Sequence, residues 1–569
     1  MIGPAPSGVD RDNIAIRYNT ANPSEAAEFP CFGVTLSSHP FPDTLAIPTN
    51  MSEIQLAGFE GRLVRINTGL FINNQFQPAT GDAQLDVENP TTGARLASVS
   101  AAQREDVDKA VAAAQAAFQG PWRAVSPANR GRLLSKLADL IERDADDLAS
   151  LEALDAGIVF GDSKALNIPQ STETLRYFAG WADKLSGKLL SIPQGYAFTR
   201  REPLGVCAAV VPWNAPLMIT IWKLAPAIAA GNTIIIKTPE LSPLYAQKLA
   251  ALVVEAGFPA GVVNILCGLG QVAGQALAEH HGVKKIAFTG SGPVGREIMK
   301  AAASSNLKKV TLELGGKGAS IVFPDADLDN ALFWTATGIT ANNGQVCAAG
   351  SRIYVHAKIY DAFLLAFAEK LAGSAPGDPL ASGTTKGPVI CARQREKIQA
   401  YIQYAKEAGI RQVAGDSTVP ADGHFVANAA FADVPDDARI MREEIFGPVA
   451  VSLHGISSPP ETNFMLTTPG SQSIAKFQTE AEVIEKANAT EYGLSAAVFT
   501  NDVNRAQRVS EALESGQVTV NCWGLLHANT PFGGVKQSGF GRDMGEEALE
   551  GWLTTKTVKY FTLPTADDK

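Results

Sequence analysis

The chain has 569 residues, of which 46% are hydrophobic and 19% charged, a balance typical of globular proteins with a sizeable core. At roughly 150 residues per domain, this length allows two to four domains. The net charge of -10 is spread along the chain, which argues against nucleic acid and anionic membranes as partners, because both require concentrated Lys and Arg.

The first 50 residues are rich in proline, lack lysine and show no helical or strand period, so we expect residues 1–50 to be disordered. The alternative is a wrongly extended gene model in which Met51 is the true start. No basic region precedes an apolar run, so no secretory signal is expected. The longest apolar stretch, Val206–Ile236, is broken by three prolines and a lysine, so no membrane-spanning helix is expected.

The six cysteines are scattered and form no CxxC pair or Cys/His cluster. This pattern predicts neither a disulfide framework nor a metal site. Isolated cysteines fit a reducing compartment, and we expect a cytoplasmic protein. A mitochondrial location stays open, although the acidic early chain is unlike a basic transit peptide.

The apolar spacing predicts helices in residues 101–150. From Leu204 to about Gly290, short apolar runs alternate with helical segments, which indicates βαβ units and a parallel sheet buried on both faces. A second α/β set follows from Lys309 to about Thr500. The fold class is therefore α/β, and we favour two stacked α/β domains over one large domain.

The motif NNGQVCAAGSR places Cys347 among small residues. A packed core thiol is the ordinary explanation of a single cysteine. The flanking glycines instead favour a loop in which backbone N–H groups approach the sulfur and lower its pKa.

A second motif, VTLELGGKG, places Glu313 in an apolar strand. Burying a carboxylate is costly unless it is paired or functional. Glu313 is thus either a member of a structural ion pair or a general base with a raised pKa.

In VVPWNAPL, Asn214 lies in the turn after a strand. Asparagine is common in turns for local reasons, but its side-chain N–H groups can also stabilise an oxyanion.

Two further motifs suit a nucleotide. FTGSGPVG has the spacing G-x-G-x-x-G through Gly290, Gly292 and Gly295 between a strand and a helix, where exposed N–H groups favour a pyrophosphate. KTPE, residues 237–240, follows an apolar strand, which is where α/β sheets bind ligands. Considered by itself, a last motif, EEIFGPV at residues 443–449, predicts an exposed turn.

Together these motifs resemble the aldehyde dehydrogenase superfamily, specifically its hydrolytic, cytosolic or mitochondrial general branch. The resemblance covers about Gly58 to Tyr560 and includes PFGGVKQSGFGRDMGEEAL and NATEYGLSAAVFT. It implies an aldehyde dehydrogenase-like fold with a Rossmann-like NAD domain, an α/β catalytic domain and a small β oligomerisation arm. The expected ranges are 51–183 and 202–314 for the NAD domain, 315–535 for the catalytic domain, and 184–201 and 550–565 for the arm.

The resemblance also implies roles for particular residues. The nucleophile would be Cys347, the general base Glu313 and the oxyanion-hole amide Asn214. The cofactor residues would be Lys237, Glu240, Gly290, Ser291, Gly295, Glu444, Phe446 and Trp213.

These roles imply NAD-dependent oxidation of an aldehyde to its acid. The Cys347 thiolate would attack the aldehyde carbon, and Asn214 would hold the oxyanion of the thiohemiacetal. Hydride transfer to the nicotinamide would leave a thioester, which water activated by Glu313 would hydrolyse. We expect no metal. Because Glu240 would repel a 2′-phosphate, NAD is favoured over NADP.

One departure from the family affects the substrate. The family often has Phe after the oxyanion asparagine, whereas this chain has Ala215. That residue helps to wall the substrate tunnel in relatives, so we expect a wider pocket.

The segment Val451–Gln472 departs from the family by intervening where relatives run straight on. Its 22 residues contain no Lys or Arg, and a surface-loop insertion is the ordinary explanation. A translated intron is the alternative. The codons for Val-Ser can contain a splice-donor sequence, and those for Met-Leu-Thr can contain a branch site. Gln can be encoded by CAG, which matches a splice acceptor. Removal of the segment keeps the reading frame.

The expected partners are a small aldehyde and further copies of the chain, because an unpaired strand edge in the arm favours a homodimer or homotetramer. Three rival functions stay open. A thiol acyltransferase or esterase would leave Lys237, Glu240 and Glu444 without a task. A CoA-acylating dehydrogenase would not need Glu313, and a non-catalytic homologue would not need intact catalytic residues.

Overall fold

The computed structural model describes residues 53–415, 417–452 and 476–562. The expectations for residues 1–50, and for all but the first two residues of the 451–472 segment, lie outside the described residues.

The described strands, in chain order, are β1 (Glu53–Ala57), β2 (Leu63–Asn67), β3 (Leu70–Ile72), β4 (Gln75–Gln77), β5 (Gln84–Glu88), β6 (Arg95–Ser100), β7 (Leu189–Ile192), β8 (Gly195–Pro203), β9 (Val206–Val210), β10 (Thr233–Lys237), β11 (Val263–Leu266), β12 (Lys285–Thr289), β13 (Lys309–Glu313), β14 (Ala319–Val322), β15 (Arg352–His356), β16 (Arg411–Ala414), β17 (Ala429–Ala432), β18 (Val449–Ser452), β19 (Lys476–Phe477), β20 (Ser495–Phe499), β21 (Gln517–Val520), β22 (Gly539–Phe540) and β23 (Leu553–Phe561).

The described α-helices are α1 (Arg104–Gln119), α2 (Pro121–Ala124), α3 (Pro127–Arg143), α4 (Ala145–Ala156), α5 (Phe160–Asp162), α6 (Ile168–Trp181), α7 (Pro216–Ala229), α8 (Leu244–Ala256), α9 (Gln275–Glu279), α10 (Gly292–Ser304), α11 (Leu328–Thr340), α12 (Tyr360–Ala372), α13 (Ala392–Glu407), α14 (Arg439–Arg442), α15 (Glu480–Asn488), α16 (Val503–Ala512) and α17 (Glu547–Glu550).

The first large sheet, here called the cofactor sheet, has the strand order β22-β13-β12-β9-β10-β11-β3-β4. Strands β9 to β13 are parallel, and β9, β10 and β11 are wholly buried. The TIIIK run forms β10 because β-branched residues suit a strand covered on both faces. From β9 the chain winds to β10 and β11 on one side, then to β12 and β13 on the other. Ligands bind at such a switch point, beyond the carboxyl ends of the strands.

The second large sheet, here called the catalytic sheet, has the order β16-β17-β18-β15-β14-β20-β21. Both β18 and the short β19 pair with β15 in parallel. Two separate hydrophobic cores lie against this sheet and two against the cofactor sheet. The prediction of an α/β fold with parallel sheets is thus confirmed, and the preference for two α/β domains over one stays a prediction.

A third sheet contains three antiparallel strands in the order β23-β8-β7. Strand β8 continues to Pro203, two residues beyond the range 184–201 expected from the sequence, because Leu553 pairs with Pro203. In the part of the chain that the structure describes, no helix has the length and apolar character needed to cross a membrane.

Candidate active site

The carboxyl edge of the cofactor sheet gathers most of the residues singled out from the sequence. Lys237 ends β10 and is paired in register with Val210 at the end of β9, four residues before Asn214. Glu313 ends β13 opposite Thr289 of β12, which Gly290 follows. Because these strands are parallel, their carboxyl ends lie at the same edge of the sheet.

The loop before Cys347 has an unusual backbone. Asn342, Asn343 and Gly344 are all left-handed, with φ values of 45°, 56° and 65°. A Cβ at Gly344 would lie 2.3 Å from the carbonyl oxygen of Gly447, so only glycine fits there. Consecutive left-handed residues store strain that the surrounding structure must offset, which is characteristic of functional sites.

Asn214 is tied to this loop by two hydrogen bonds. Its side-chain amide donates to the carbonyl of Gln345 at 2.9 Å, and its own carbonyl accepts from the side chain of Asn342 at 2.7 Å. Gln345 is anchored in turn, because its side-chain oxygen accepts the backbone N–H of Ile390. Since Asn214 has two amide N–H groups, one of them is left to meet a ligand in the adjacent cavity.

Cys347 itself is half-buried and lies close to acidic groups. Burial, Glu444 and Glu313 raise the pKa of its thiol, whereas the backbone N–H groups of Ala348 and Cys347 lower it, and the net result is a pKa of about 12. The prediction of a lowered thiol pKa is therefore wrong for this state, because the backbone donors are outweighed by burial. The resting thiol is protonated near neutral pH and needs a proton acceptor to become a nucleophile.

Glu313 is buried, and neither oxygen of its carboxylate has a hydrogen-bond partner among the described residues. Burial and the neighbouring carboxylate of Asp543 raise its pKa well above the usual value, while Lys223 acts in the opposite direction. Lys223 and Asp543 form a buried ion pair. A desolvated carboxyl of this kind has the basicity that proton abstraction from water requires.

Lys223 and Asp543 were not recognised from the sequence as site residues. Lys223 is the only charged residue in the largely apolar run ITIWKLAPAIAA. That isolated charge could have marked it as a candidate site residue. Asp543 lies 320 residues away in the chain, so only the tertiary structure reveals their pairing.

The residues expected to bind the adenosine half of the cofactor lie at or beyond the ends of β10 and β12. The buried ammonium of Lys237 forms an ion pair with the half-buried Glu240. Gly290 donates its backbone N–H to the carbonyl of Glu313. Ser291 precedes the first turn of α10, whose N–H groups can bind a pyrophosphate. Gly295 packs against Leu314, leaving no room for a Cβ.

The residues expected at the nicotinamide side meet between the two sheets. Glu444 accepts a hydrogen bond from the backbone N–H of Gly316 at 3.0 Å, and burial raises its pKa. A Cβ at Gly315 would lie 2.2 Å from the Glu444 carboxylate. Phe446, with φ 58°, packs edge-on against Trp213 at 5.3 Å between ring centroids. The buried Glu444 carboxyl and the edge-on pair of Phe446 and Trp213 are thus held in fixed positions.

Asn214 and Cys347 line one cavity of about 590 Å³. Its walls are mostly apolar and include Met218, Ile219, Trp222, Trp334, Leu525 and Phe532. Ala215 contributes a small side chain beside Asn214, and the wider pocket stays a prediction. Nowhere in the described residues do three His, Cys, Asp or Glu side chains cluster in a way that could hold a metal ion.

A doubly wound parallel sheet, a buried carboxyl and a cysteine that shares a cavity with an asparagine are the features expected of a nicotinamide-dependent oxidoreductase. The model of the aldehyde dehydrogenase family matches residues 76–454 and 472–558. The chain therefore belongs to the aldehyde dehydrogenase family.

The individual relatives agree with this assignment. Aldehyde dehydrogenase of Alternaria alternata is 48% identical over 86% of this chain and 95% of its own. Retinal dehydrogenase 2 of Gallus gallus is 45% identical over 86% and 91%. The solved NAD+ complex of aldehyde dehydrogenase from Bacillus cereus has 40% identity and a TM-score of 0.82, covering 87% of this chain and 96% of that one. The enzyme is thus an aldehyde dehydrogenase that uses a nicotinamide dinucleotide.

Proposed function

We propose that the chain oxidises an aldehyde through a thiohemiacetal and a thioester on Cys347, which water activated by Glu313 then hydrolyses. The observation that carries the proposal is that Cys347 and the free N–H of Asn214 line one cavity beside the desolvated Glu313.

The first steps need a base, a nucleophile and an anion-binding group. Solvent water accepts the proton of the Cys347 thiol, whose sulfur forms a bond to the aldehyde carbon while the carbonyl electrons move to oxygen. Asn214 donates its second N–H to that oxyanion, an interaction typically worth about 10²–10³ in rate. A bound nicotinamide dinucleotide would supply the hydride acceptor, so that loss of hydride from the tetrahedral carbon and return of the oxyanion electrons would leave a thioester on Cys347.

Release of the acid requires water. Glu313 takes a proton from a water molecule that adds to the thioester, and the carbon–sulfur bond breaks to return Cys347. The Lys223–Asp543 ion pair beside Glu313 adjusts its proton affinity in both directions, since one member attracts and the other repels the charged form.

The residues present fit NAD better than NADP. Lys237 and Glu240 lie beside each other at the end of β10, where a carboxylate accepts a hydrogen bond from a ribose 2′-hydroxyl but repels a 2′-phosphate. We expect the Glu240→Ser variant to lower the ratio of kcat/KM for NAD+ to that for NADP+ by about tenfold, the size of one charge-assisted hydrogen bond. An unchanged ratio would remove Glu240 from cofactor selection.

The central experiment measures NADH formation by absorbance with short aliphatic, long aliphatic and aromatic aldehydes. We expect turnover with NAD+ in the absence of CoA. Product release that requires CoA would favour an acylating dehydrogenase, and ester cleavage without any NADH would favour an acyltransferase or esterase.

We propose a homodimer or homotetramer built through the three-stranded sheet. Leu189, Tyr196, Tyr560 and Phe561 of this sheet expose between 46% and 75% of their surfaces, which is the pattern of a contact surface. The molar mass from light scattering decides between a monomer and these assemblies.

We propose a cytoplasmic location. The five cysteines in the described ranges are all free thiols, which suits a reducing compartment. Fractionation of cells followed by detection of the protein distinguishes cytoplasm from mitochondria.

A further inference from the structure

One end of the active-site cavity carries a charge that the proposed mechanism does not use. Lys386 lines the same cavity as Cys347, but it comes from the loop after α12. Its residue surface is only 5% exposed. The ammonium has three N–H groups, and its single hydrogen-bond partner in the described chain is the side-chain oxygen of Asn428.

The groups around Lys386 are neutral. Asn428 is itself held by the carbonyl of Leu371 and the hydroxyl of Ser374, so the three side chains form one polar cluster. Burial lowers the pKa of Lys386 to about 7, and no charged neighbour contributes. The other charged side chains lining the cavity, Asp162 and Lys370, are exposed. A buried cation without a counter-ion is costly unless an anion completes the site.

We propose that this end of the cavity binds the carboxylate of an aldehyde acid, with Lys386 as the cation, so that ω-oxo carboxylic acids are preferred over plain alkanals. The inference rests on the proposed aldehyde oxidation. The methylene chain would lie along the apolar walls, the aldehyde carbon at Cys347 and the carboxylate at Lys386. Pockets commonly combine apolar walls with a few convergent polar groups that fix orientation.

The test compares hexanal with 6-oxohexanoate, and other pairs of matched chain length, by NADH formation. We expect a higher kcat/KM for at least one oxo acid than for its alkanal. The Lys386→Gln variant, which keeps a donor for Asn428, should lose that preference by about 10- to 100-fold, the value of a hydrogen bond between charged groups. Its Tm should change little, and its kcat/KM should fall more for the oxo acid than for the alkanal.

The matched control is Lys308→Gln. Lys308 is also buried and donates to the carbonyl of Ala278 and the hydroxyl of Ser305, but it does not line the cavity. A pH profile adds a readout that a purely structural role would not move. The preference for the oxo acid should fade as the pH rises through about 7, because the ammonium of Lys386 loses its proton there.

The possible outcomes distinguish a failure of the proposed carboxylate site from a failure of the proposed aldehyde oxidation. Turnover of alkanals without any preference for oxo acids, or a preference that Lys386→Gln retains, would overturn the carboxylate site and leave the aldehyde oxidation intact. No turnover of either substrate class would overturn the proposed function itself.

An independent observation concerns the catalytic sheet. Arg352 and Ile353 of β15 pair with Val451 and Ser452, and two residues later Val355 and His356 pair with Lys476 and Phe477. From Ile353 to Val355 strand β15 advances two residues, whereas the facing chain advances 24 from Ser452 to Lys476. That is 22 more than a continuous strand would use, and 22 is the length of Val451–Gln472.

We infer that β18 and β19 are two parts of one strand and that the working enzyme lacks these 22 residues. Insertions are tolerated in surface loops, but an insertion within a buried parallel strand interrupts its ladder of hydrogen bonds. Removal joins Ala450 directly to Ser473 and keeps Lys476 and Phe477 in their present register against β15.

The test expresses the full chain and three deletions. We expect the variant without 451–472 to have a higher Tm and a higher specific activity than the full chain. Deletion of 451–471 or of 451–473 should not restore either property, because a shift by one residue turns each strand side chain to the opposite face. A native transcript and protein that retain the segment, or equal stability of all four proteins, would overturn the inference.

Discussion

The cofactor sheet and the catalytic sheet position their candidate site residues on different kinds of backbone. In the cofactor sheet the candidate site residues lie at or just beyond the ends of parallel strands, as Lys237, Asn214 and Gly290 do. In the catalytic sheet Cys347 follows a loop with three successive left-handed residues, and the loop that carries Glu444 leads into β18. The cofactor side thus needs only regular strand ends, whereas the catalytic side depends on tertiary contacts that hold a strained loop.

The largest expected effect lies at the nucleophile. We expect Cys347→Ala to lower kcat by about 10⁴-fold or more, because no other group can form the thioester. NADH formation measures the effect. Cys522→Ala, a half-buried thiol in the same half of the molecule, is the control and should retain wild-type turnover. Activity retained by Cys347→Ala would refute covalent catalysis.

The next largest expected effect is at Glu313, which ends strand β13 of the cofactor sheet and whose charge acts on the Cys347 thiol. We expect Glu313→Gln to lower kcat by about 10²–10⁴-fold while a first burst of NADH persists, because thioester formation precedes hydrolysis. Burial raises the pKa of Glu313, so the carboxyl is protonated at low pH and wild-type kcat should rise as pH increases through that raised value. Loss of the burst together with turnover would assign Glu313 to the earlier step instead.

Asn214 links the two sides, since its amide donates to Gln345 and its carbonyl accepts from Asn342. We expect Asn214→Ala to lower kcat by about 10²–10³-fold through loss of oxyanion stabilisation, with KM for NAD+ nearly unchanged. Steady-state kinetics with both substrates measure this split. A rise in KM for NAD+ as large as the fall in kcat would show that Asn214 only supports the cofactor side.

The smallest expected effects concern two glycine substitutions, which are compared by the free energy of unfolding alone. Gly344→Ala should lower the free energy of unfolding by about 1–3 kcal/mol, because its φ is positive and a Cβ would meet the Gly447 carbonyl. Gly292→Ala, in the first turn of α10, meets only the side chain of Arg296 at 3.5 Å and should be neutral or stabilising by about 0.4–1 kcal/mol. Urea unfolding measures both, and equal destabilisation would erase the contrast between the two loops.

Much of the cofactor side could be predicted from the sequence. Apolar runs such as TIIIK alternate with helical segments, and this local pattern is sufficient for a parallel sheet whose ligand groups follow its strands. The position of Cys347 among glycines and of Glu313 in an apolar strand could also be identified. Their chemistry could not, because the pKa of the thiol depends on burial and on Glu444 and Glu313, which local motifs do not reveal.

The sequence by itself therefore determined the α/β class, the family resemblance and the candidate residues, because each rests on local periodicity or a short motif. Only the tertiary structure decided that Lys223 pairs with Asp543, that Gln345 bridges Asn214 to the nucleophile loop, and that Lys386 shares the cavity of Cys347. It also showed that β18 and β19 keep a common register against β15. These features arise between residues far apart in the chain, where packing and burial, not sequence spacing, determine distance and charge.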